Sequence, residues 1–168
     1  MKDKYKTKEQ LITELTMLRE RVTELETTDW EYRQLAKHLG ERVKELACIY
    51  TIAQIVDDPN ITLSEAFQQV ADILPSALQH PEIARARIAI GDKQFNTLGY
   101  RETKWKLSSD IEVDGVKKGF VEVCYLEQKP EMNIEPFLSE EWLLISIVAG
   151  RLGRTIERKQ ADKVPNKP

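Results

Sequence analysis

Cysteine and histidine are scarce, with two of each in 168 residues. Cys48 and Cys124 form no Cys-x-x-Cys pair and have no neighbouring histidine, and His38 and His80 stand far apart, so no group has metal-ligand spacing. The loops that cradle phosphates and the turn that presents a nucleophilic serine are missing too: there is no Gly-x-x-x-x-Gly-Lys, Gly-x-Gly-x-x-Gly or Gly-x-Ser-x-Gly. A phosphoacceptor histidine needs an adjacent acid and a proline a few residues on, and His38-Leu39-Gly40-Glu41 has neither. His38 reads as a solvated helix residue and His80, before Pro81, as a turn residue. These absences argue against an enzyme and name no cofactor. No run approaches the roughly 18 apolar residues of a membrane span, and no apolar stretch follows the basic start as in a signal peptide. The expected location is the cytoplasm, where reducing conditions favour both cysteines as small buried hydrophobes; the alternative is a disulfide or redox pair, in a redox enzyme or sensor. A net charge of −3 and a pI near 5.6 give no basic field for nucleic acid. Lys2, Lys4, Lys6 and Lys8 alternate with Asp3 and Glu9 and read as a solvated leader.

What is abundant is charge, 32% of residues, concentrated near the N-terminus on a heptad run from Leu11 to Ala53. Its a/d series reads Leu15, Leu18, Val22, Leu25, Asp29, Tyr32, Ala36, Leu39, Val43, Leu46, Tyr50, Ala53. Apolar residues recurring every 3.5 positions form a narrow seam that a second helix can cover. Asp29 interrupts it. Thr28 and Glu31 have capping-box spacing, so the helix either restarts there or keeps Asp29 in the seam to fix register. Trp30 and Tyr32 flank the irregularity.

Ile49, Ile52, Ala53 and Val56 continue the helical pattern until Asp57-Asp58-Pro59-Asn60 stops it. Thr62-Leu63-Ser64-Glu65 is a capping box opening a second helix, with apolar positions Leu63, Ala66, Phe67, Val70, Ile73, Leu74, Ala77 and Leu78. Pro75 predicts a kink or an end with a short restart. From Ile83 the period changes to two. Strands are expected over Ile83 to Ile90, Gln94 to Leu98, Thr103 to Leu107, Ile111 to Val113 and Phe120 to Leu126, the last two joined by a loop of about five residues around Asp114 to Lys118. A polar connection, Glu127 to Pro136, leads to a helix after Ser139, with Glu140 and Glu141 in its first turn and apolar positions Trp142, Leu143, Ile145, Val148, Leu152 and Ile156. Gly150 and Gly153 in that helix point to close helix–helix approach. The tail from Ala161 to Pro168 is expected to fray. The order of elements predicts an α+β fold, an antiparallel sheet of about five strands flanked by helices and preceded by a long coiled-coil helix.

The run Glu41-Arg42-Val43-Lys44-Glu45-Leu46-Ala47-Cys48-Ile49-Tyr50 resembles the first helix of a GAF-domain group common in sensor histidine kinases. The similarity continues through Leu74-Pro75, Gln79-His80-Pro81-Glu82, Ala86-Arg87-Ile88, Glu102-Thr103-Lys104-Trp105, Gly119 to Tyr125 and Pro136 to Glu141. Lys6 to Leu11 and Leu18 to Arg21 look like the coiled-coil leader of PAS/GAF sensor kinases. The resemblance implies a signalling helix over residues 1–40, a GAF-like domain over 41–160 and a disordered tail over 161–168. It further implies a homodimeric sensory module of a signal-transduction system, with a histidine kinase or other signalling protein as partner and a ligand pocket on one side of the sheet. Three GAF ligand signatures do not transfer: the cyclic-nucleotide motif is not found, and neither cysteine has the context of a bilin attachment or of a sulfoxide-reducing cluster. For a ligand, Trp105, Tyr125 and Phe95 are the expected wall and Arg87 and Glu102 the anchors; the alternative is that these aromatics fill core. For the dimer, the expected interface is Leu15, Leu18, Val22, Leu25, Leu39, Val43, Leu46, Leu152 and Ile156. A structural dimerisation protein without a small-molecule ligand is the alternative function.

Overall fold

The computed structural model describes residues 5–129 and 136–163. The chain divides into two compact units, residues 1–40 and 41–168. Helix α1 (Lys8–Asp57) supplies nearly all of the first unit and the opening of the second. It starts with a capping box: Thr7 Oγ1 accepts from the Gln10 amide at 3.2 Å, and Gln10 Oε1 accepts from the Thr7 amide at 3.0 Å. The Thr28/Glu31 spacing is not used. The helix runs unbroken through Asp29, which pairs with Arg33 one turn on at 3.1 Å, while Thr27 Oγ1 donates to the Thr23 carbonyl. An interior of Leu, Glu, Arg and Gln favours helix strongly enough to absorb one aspartate and two threonines. Leu15, Leu18, Val22, Leu25 and Leu39 are all exposed in the single chain.

In the second unit, Thr62 and Glu65 form the expected capping box at the start of α2 (Leu63–Ile73). Leu74–Ala77 then tightens into a 3₁₀ turn carrying Pro75, which has no N–H to give to a further α-helical turn. Among the described residues four strands follow rather than five: β1 (Ala84–Ile90), β2 (Lys93–Asn96), β3 (Lys106–Val113) and β4 (Val116–Tyr125), in the antiparallel order β2-β1-β4-β3. Two of the expected strands are one. Ser108, Ser109 and Asp110 have no strand-like alternation, yet they continue β3 by pairing with Glu122, Val121 and Phe120. The expected five-residue loop is the two-residue turn Asp114-Gly115, with φ of 52° and 78°. Positive φ at both positions gives the twist a tight hairpin needs, so Val116 to Lys118 join β4.

One face of the sheet carries the core. Helix α2 lies on β1 and β2, and α3 (Ser139–Lys163) lies on β3 and β4. Cys48, Ile52 and Val56 of α1 join Phe67, Val70, Leu74, Ile88, Val121, Val123, Leu144, Ile145, Val148 and Leu152 in one cluster. Each large aliphatic buried there contributes about 1.5–3 kcal/mol.

The phase of α3 differs from expectation. Trp142 and Leu143 are exposed, whereas Leu144 and Ala149 take core positions. Leu152 and Ile156, expected at a dimer interface, are 0% and 6% exposed and pack inside their own chain. Apolar residues lie on both sides of this helix, so its period alone did not fix which stripe meets the sheet. The close approach expected of Gly153 is to a strand rather than a helix: a Cβ there would stand 2.3 Å from the Glu112 carbonyl oxygen of β3. The helix continues through Lys163; residues 164–168 of the expected tail, 130–135 of the expected connection and the leader's Lys2 and Lys4 lie outside the described residues.

Candidate functional site

Strand alternation sends Ala84, Ala86 and Ile88 of β1 to the core and Arg85 and Arg87 to the opposite, outer face. The register then fixes their neighbours. Arg87 faces Glu122 across β4, Arg85 faces Cys124, and Ala89 faces Phe120. From β3, Ser108 stands beside Glu122 and Lys106 beside Cys124.

Because β2 and β3 sit at opposite edges of the sheet, the segment 97–105 that joins them has to traverse it. It is tied down at both ends. Thr97 Oγ1 donates to the Ala71 carbonyl at 2.9 Å and accepts from the Ala86 amide at 3.1 Å. At the far end Thr103 Oγ1 donates to the Tyr125 carbonyl at 2.7 Å, Arg101 Nη2 donates to the Leu126 carbonyl at 2.8 Å, and Cys124 Sγ donates to the Arg101 carbonyl at 3.3 Å.

Arg87 is at the centre of this face. Its Nη2 lies 2.5 Å from Glu122 Oε2, and its guanidinium lies between the Tyr100 ring at 5.0 Å and the Phe120 ring at 5.2 Å. Burial opposes its charge, and the Glu122 carboxylate more than offsets this, holding the guanidinium above its ordinary value. The Glu122 side chain is only 3% exposed, and Lys106 Nζ stands 3.8 Å from its other oxygen while pairing with Glu102. Burial first, and then the Glu122 charge, push the Tyr100 phenol well above its usual range; the same two causes raise the Cys124 thiol. Among the described residues three polar atoms of this face are buried with no hydrogen-bond partner within 3.5 Å, Arg85 Nε, Arg87 Nε and Tyr100 Oη, the last facing the Glu122 carboxylate.

The five residues expected to bind ligand do not form one site. Arg87 and Glu102 lie on the outer face, linked through Lys106 and Glu122. The three aromatics belong to the core side. Phe95 meets Phe67 edge-on at 5.7 Å, and Trp105 is partly buried against the core cluster with Lys104 over its ring. Tyr125 stacks on Phe137 at 4.8 Å, meets His80 edge-on at 5.5 Å and donates to Glu141 at 2.8 Å. Glu141 is nearly fully buried and also accepts from the amides of Leu138 and Gln79, so it fastens the start of α3 to β4 and to the turn before β1. Sequence reasoning counted Tyr100 and Phe120 among the strand-region aromatics without choosing them, and passed over Arg85 and Glu122. The signal was there: Arg85 and Arg87 alternate with alanines in an otherwise apolar strand, and Glu122 interrupts an apolar run.

A second surface of this unit is apolar. At 100° per residue, the buried stripe of α1 (Glu45, Cys48, Ile52, Val56) and its exposed stripe (Val43, Leu46, Tyr50) are centred about 150° apart. One side is spent on the domain's own core. The other is exposed, as are Leu143 and Ile147 of α3, and between the two helices lies a small cleft of about 80 Å³ lined by Ile49, Ile52 and Ala53 of α1 and by Ile147, Val148, Arg151 and Arg154 of α3.

Among the described residues no group of His, Cys, Asp and Glu is arranged to hold a metal ion, and no helix is long and apolar enough to cross a membrane. Comparison with protein-family models gives no match. No curated protein matches the chain either.

Proposed function

We propose that the protein is a non-catalytic sensory or regulatory module of GAF type, acting in signal transduction as a homodimer that takes a small ligand on the outer face of its sheet. The observation that supports it is the two-faced α1. Val43, Leu46 and Tyr50 are 63%, 66% and 65% exposed although the opposite stripe of the same helix is buried. Leaving such a stripe in water forfeits the burial it is suited to, and a second copy presenting the same stripe covers it symmetrically. The interface then comprises Leu15, Leu18, Val22, Leu25, Leu39, Val43 and Leu46, with Leu143 and Ile147 in place of Leu152 and Ile156. A route from ligand to interface runs through β4: Glu122 and Cys124 face outward, and Tyr125 on the other side is bonded to Glu141 at the start of α3. Interdigitated helix seams have discrete arrangements, so a shift of α3 biases the dimer between two packings. A histidine kinase or another signalling protein would read that change.

A structural dimerisation protein with no ligand is the second reading, favoured by Phe95 and Tyr125 filling core. Native mass spectrometry on protein taken directly from its expression host separates the two. A dimer with an added small mass supports the sensor, a bare dimer supports the structural reading, and a monomer refutes both.

A further inference from the structure

We infer that the outer face of the sheet binds a small oxyanion, a carboxylate or phosphate group, through Arg85, Arg87 and Tyr100. The inference rests on the ligand-binding reading above and names the chemistry of that ligand. It starts from the three orphan atoms. A buried donor without a partner costs roughly 1–3 kcal/mol, and buried polar groups nearly always have one. Among the described residues Arg85 Nε and Arg87 Nε lack one within a single patch, and Tyr100 Oη beside them has only a long approach to the Glu122 carboxylate. Each has a hydrogen to give. Glu122, the buried carboxylate of the patch, is engaged by Arg87 and Lys106, and an oxyanion supplies several further lone pairs from one compact group.

Charge points the same way. Glu122 neutralises Arg87, and Glu102 is paired with Lys106. Glu82 pairs with Lys129 and Asp110 with Lys117. Arg85 has no carboxylate among the described residues; its Nη1 donates only to the carbonyls of Ala84 at 2.7 Å and Glu82 at 3.4 Å. The Arg85 charge has no carboxylate to offset it among the described residues, and a bound anion does so. A water molecule satisfies a donor but leaves that charge as it is. Geometry allows one anion to serve both arginines, because alternate residues of a strand stand about 6.6 Å apart on the same face, a gap that two oxygens of one group close with ordinary hydrogen bonds of ~2.9 Å.

The cover over the patch is the tip of the 97–105 segment. A Cβ on Gly99, whose φ is +81°, would lie 3.4 Å from Arg85 Nε, the Tyr100 ring rests on Arg87, and Leu98 between the anchored ends is 92% exposed.

The test observes the orphan groups themselves. Inorganic phosphate, acetate and succinate are each titrated, at constant ionic strength, into ¹⁵N-labelled full-length protein while the arginine Nε–H resonances are recorded by NMR. The expected result is a saturable shift of the Arg85 and Arg87 signals by at least one of the three, with the exposed Arg21 and Arg33 unmoved. Arg85→Gln then weakens that binding roughly tenfold or more, as expected for loss of a charge-assisted pair, and Tyr100→Phe weakens it less. Phosphate acting alone, or the carboxylates alone, identifies the oxyanion. No saturable shift with any of the three overturns the inference in favour of internal water, and equal shifts at Arg21 and Arg33 overturn it as adventitious ion binding only. Light scattering on the same samples keeps the two readings apart. A dimer without shifts removes the anion site alone, whereas a monomer with shifts removes the dimer alone.

Discussion

Gly150 and Gly153 lie three residues apart in α3, and their substitution by alanine is predicted to act in opposite directions. Glycine in a helix interior costs about 1 kcal/mol against alanine, so each replacement starts with that gain. At Gly150 nothing opposes it: the added Cβ meets only the Arg154 Nη1 at 3.5 Å, the end of a flexible side chain. At Gly153 the Cβ falls 2.3 Å from the Glu112 carbonyl oxygen and 3.3 Å from its carbon. The first distance is roughly 1 Å short of the ~3.3 Å that a carbon and a carbonyl oxygen keep. Neither side yields easily. Glu112 is backbone at an irregularity in the β3–β4 ladder, and α3 is held by Val148, Leu152 and Ile156 in the core. Overpacking of this kind costs about 1–3 kcal/mol and sometimes more. Gly150→Ala is therefore expected to stabilise by about 0.5–1 kcal/mol, and Gly153→Ala, once that gain is subtracted from the overpacking cost, to destabilise by up to about 2 kcal/mol. Urea unfolding of both variants, followed by circular dichroism at one fixed protein concentration, measures the two midpoints. A Gly153→Ala midpoint at or above the wild-type one would refute the contact between α3 and β3 on which the reasoning depends.

Three further outcomes are expected. Burial pushes the Cys48 thiol up to about 11 and raises that of Cys124 as well, so neither should react with a disulfide reagent near pH 8 until urea unfolds the chain; prompt labelling of the native protein contradicts this burial. The hydrogen bond from Arg158, aided by Arg151, holds the Asp57 carboxyl below its ordinary value. Its contribution is therefore complete above the unfolded value of about 4 and fades as pH falls through the lower folded one, so Asp57→Asn should lower the melting temperature at neutral pH and cease to matter in acid. Glu141→Gln places an amide where the carboxylate accepts from Leu138, Gln79 and Tyr125. One of those donors then faces an N–H group, at a cost of about 1–3 kcal/mol; unchanged thermal stability would show that Glu141 does not fasten α3.

Elements whose local chemistry and tertiary role agree were legible in the sequence. The Thr62–Glu65 box, the break at Pro75 and the acidic start of α3 follow from hydrogen bonds that a few neighbouring residues complete among themselves. Features decided by pairing were not. Ser108 to Asp110 look like a loop because their strand character comes from β4 beside them. On α3, Leu143, Leu144, Ile145, Ile147 and Val148 satisfy a helical period in more than one phase, and only the sheet selects Leu144 over Leu143. The candidate site depends on register in the same way. Phe95, Trp105 and Tyr125 read as pocket residues by type, yet Phe95 and Tyr125 share the strand parity of their core-facing neighbours, and Trp105, just before β3, packs against the core. Arg87 has its carboxylate 35 positions away, on Glu122, a partnership that no local pattern announces.

The central claim is that the exposed stripe of α1 is an interface between two copies. Sedimentation equilibrium on the wild type and on Leu46→Glu tests it most directly, because Leu46 is 66% exposed in the single chain and its side chain is not part of the core. The account predicts a dimer for the wild type and a folded monomer, or a dimer weakened by at least tenfold, for Leu46→Glu. A monomeric wild type, or a variant that dimerises as tightly as the wild type, would contradict it.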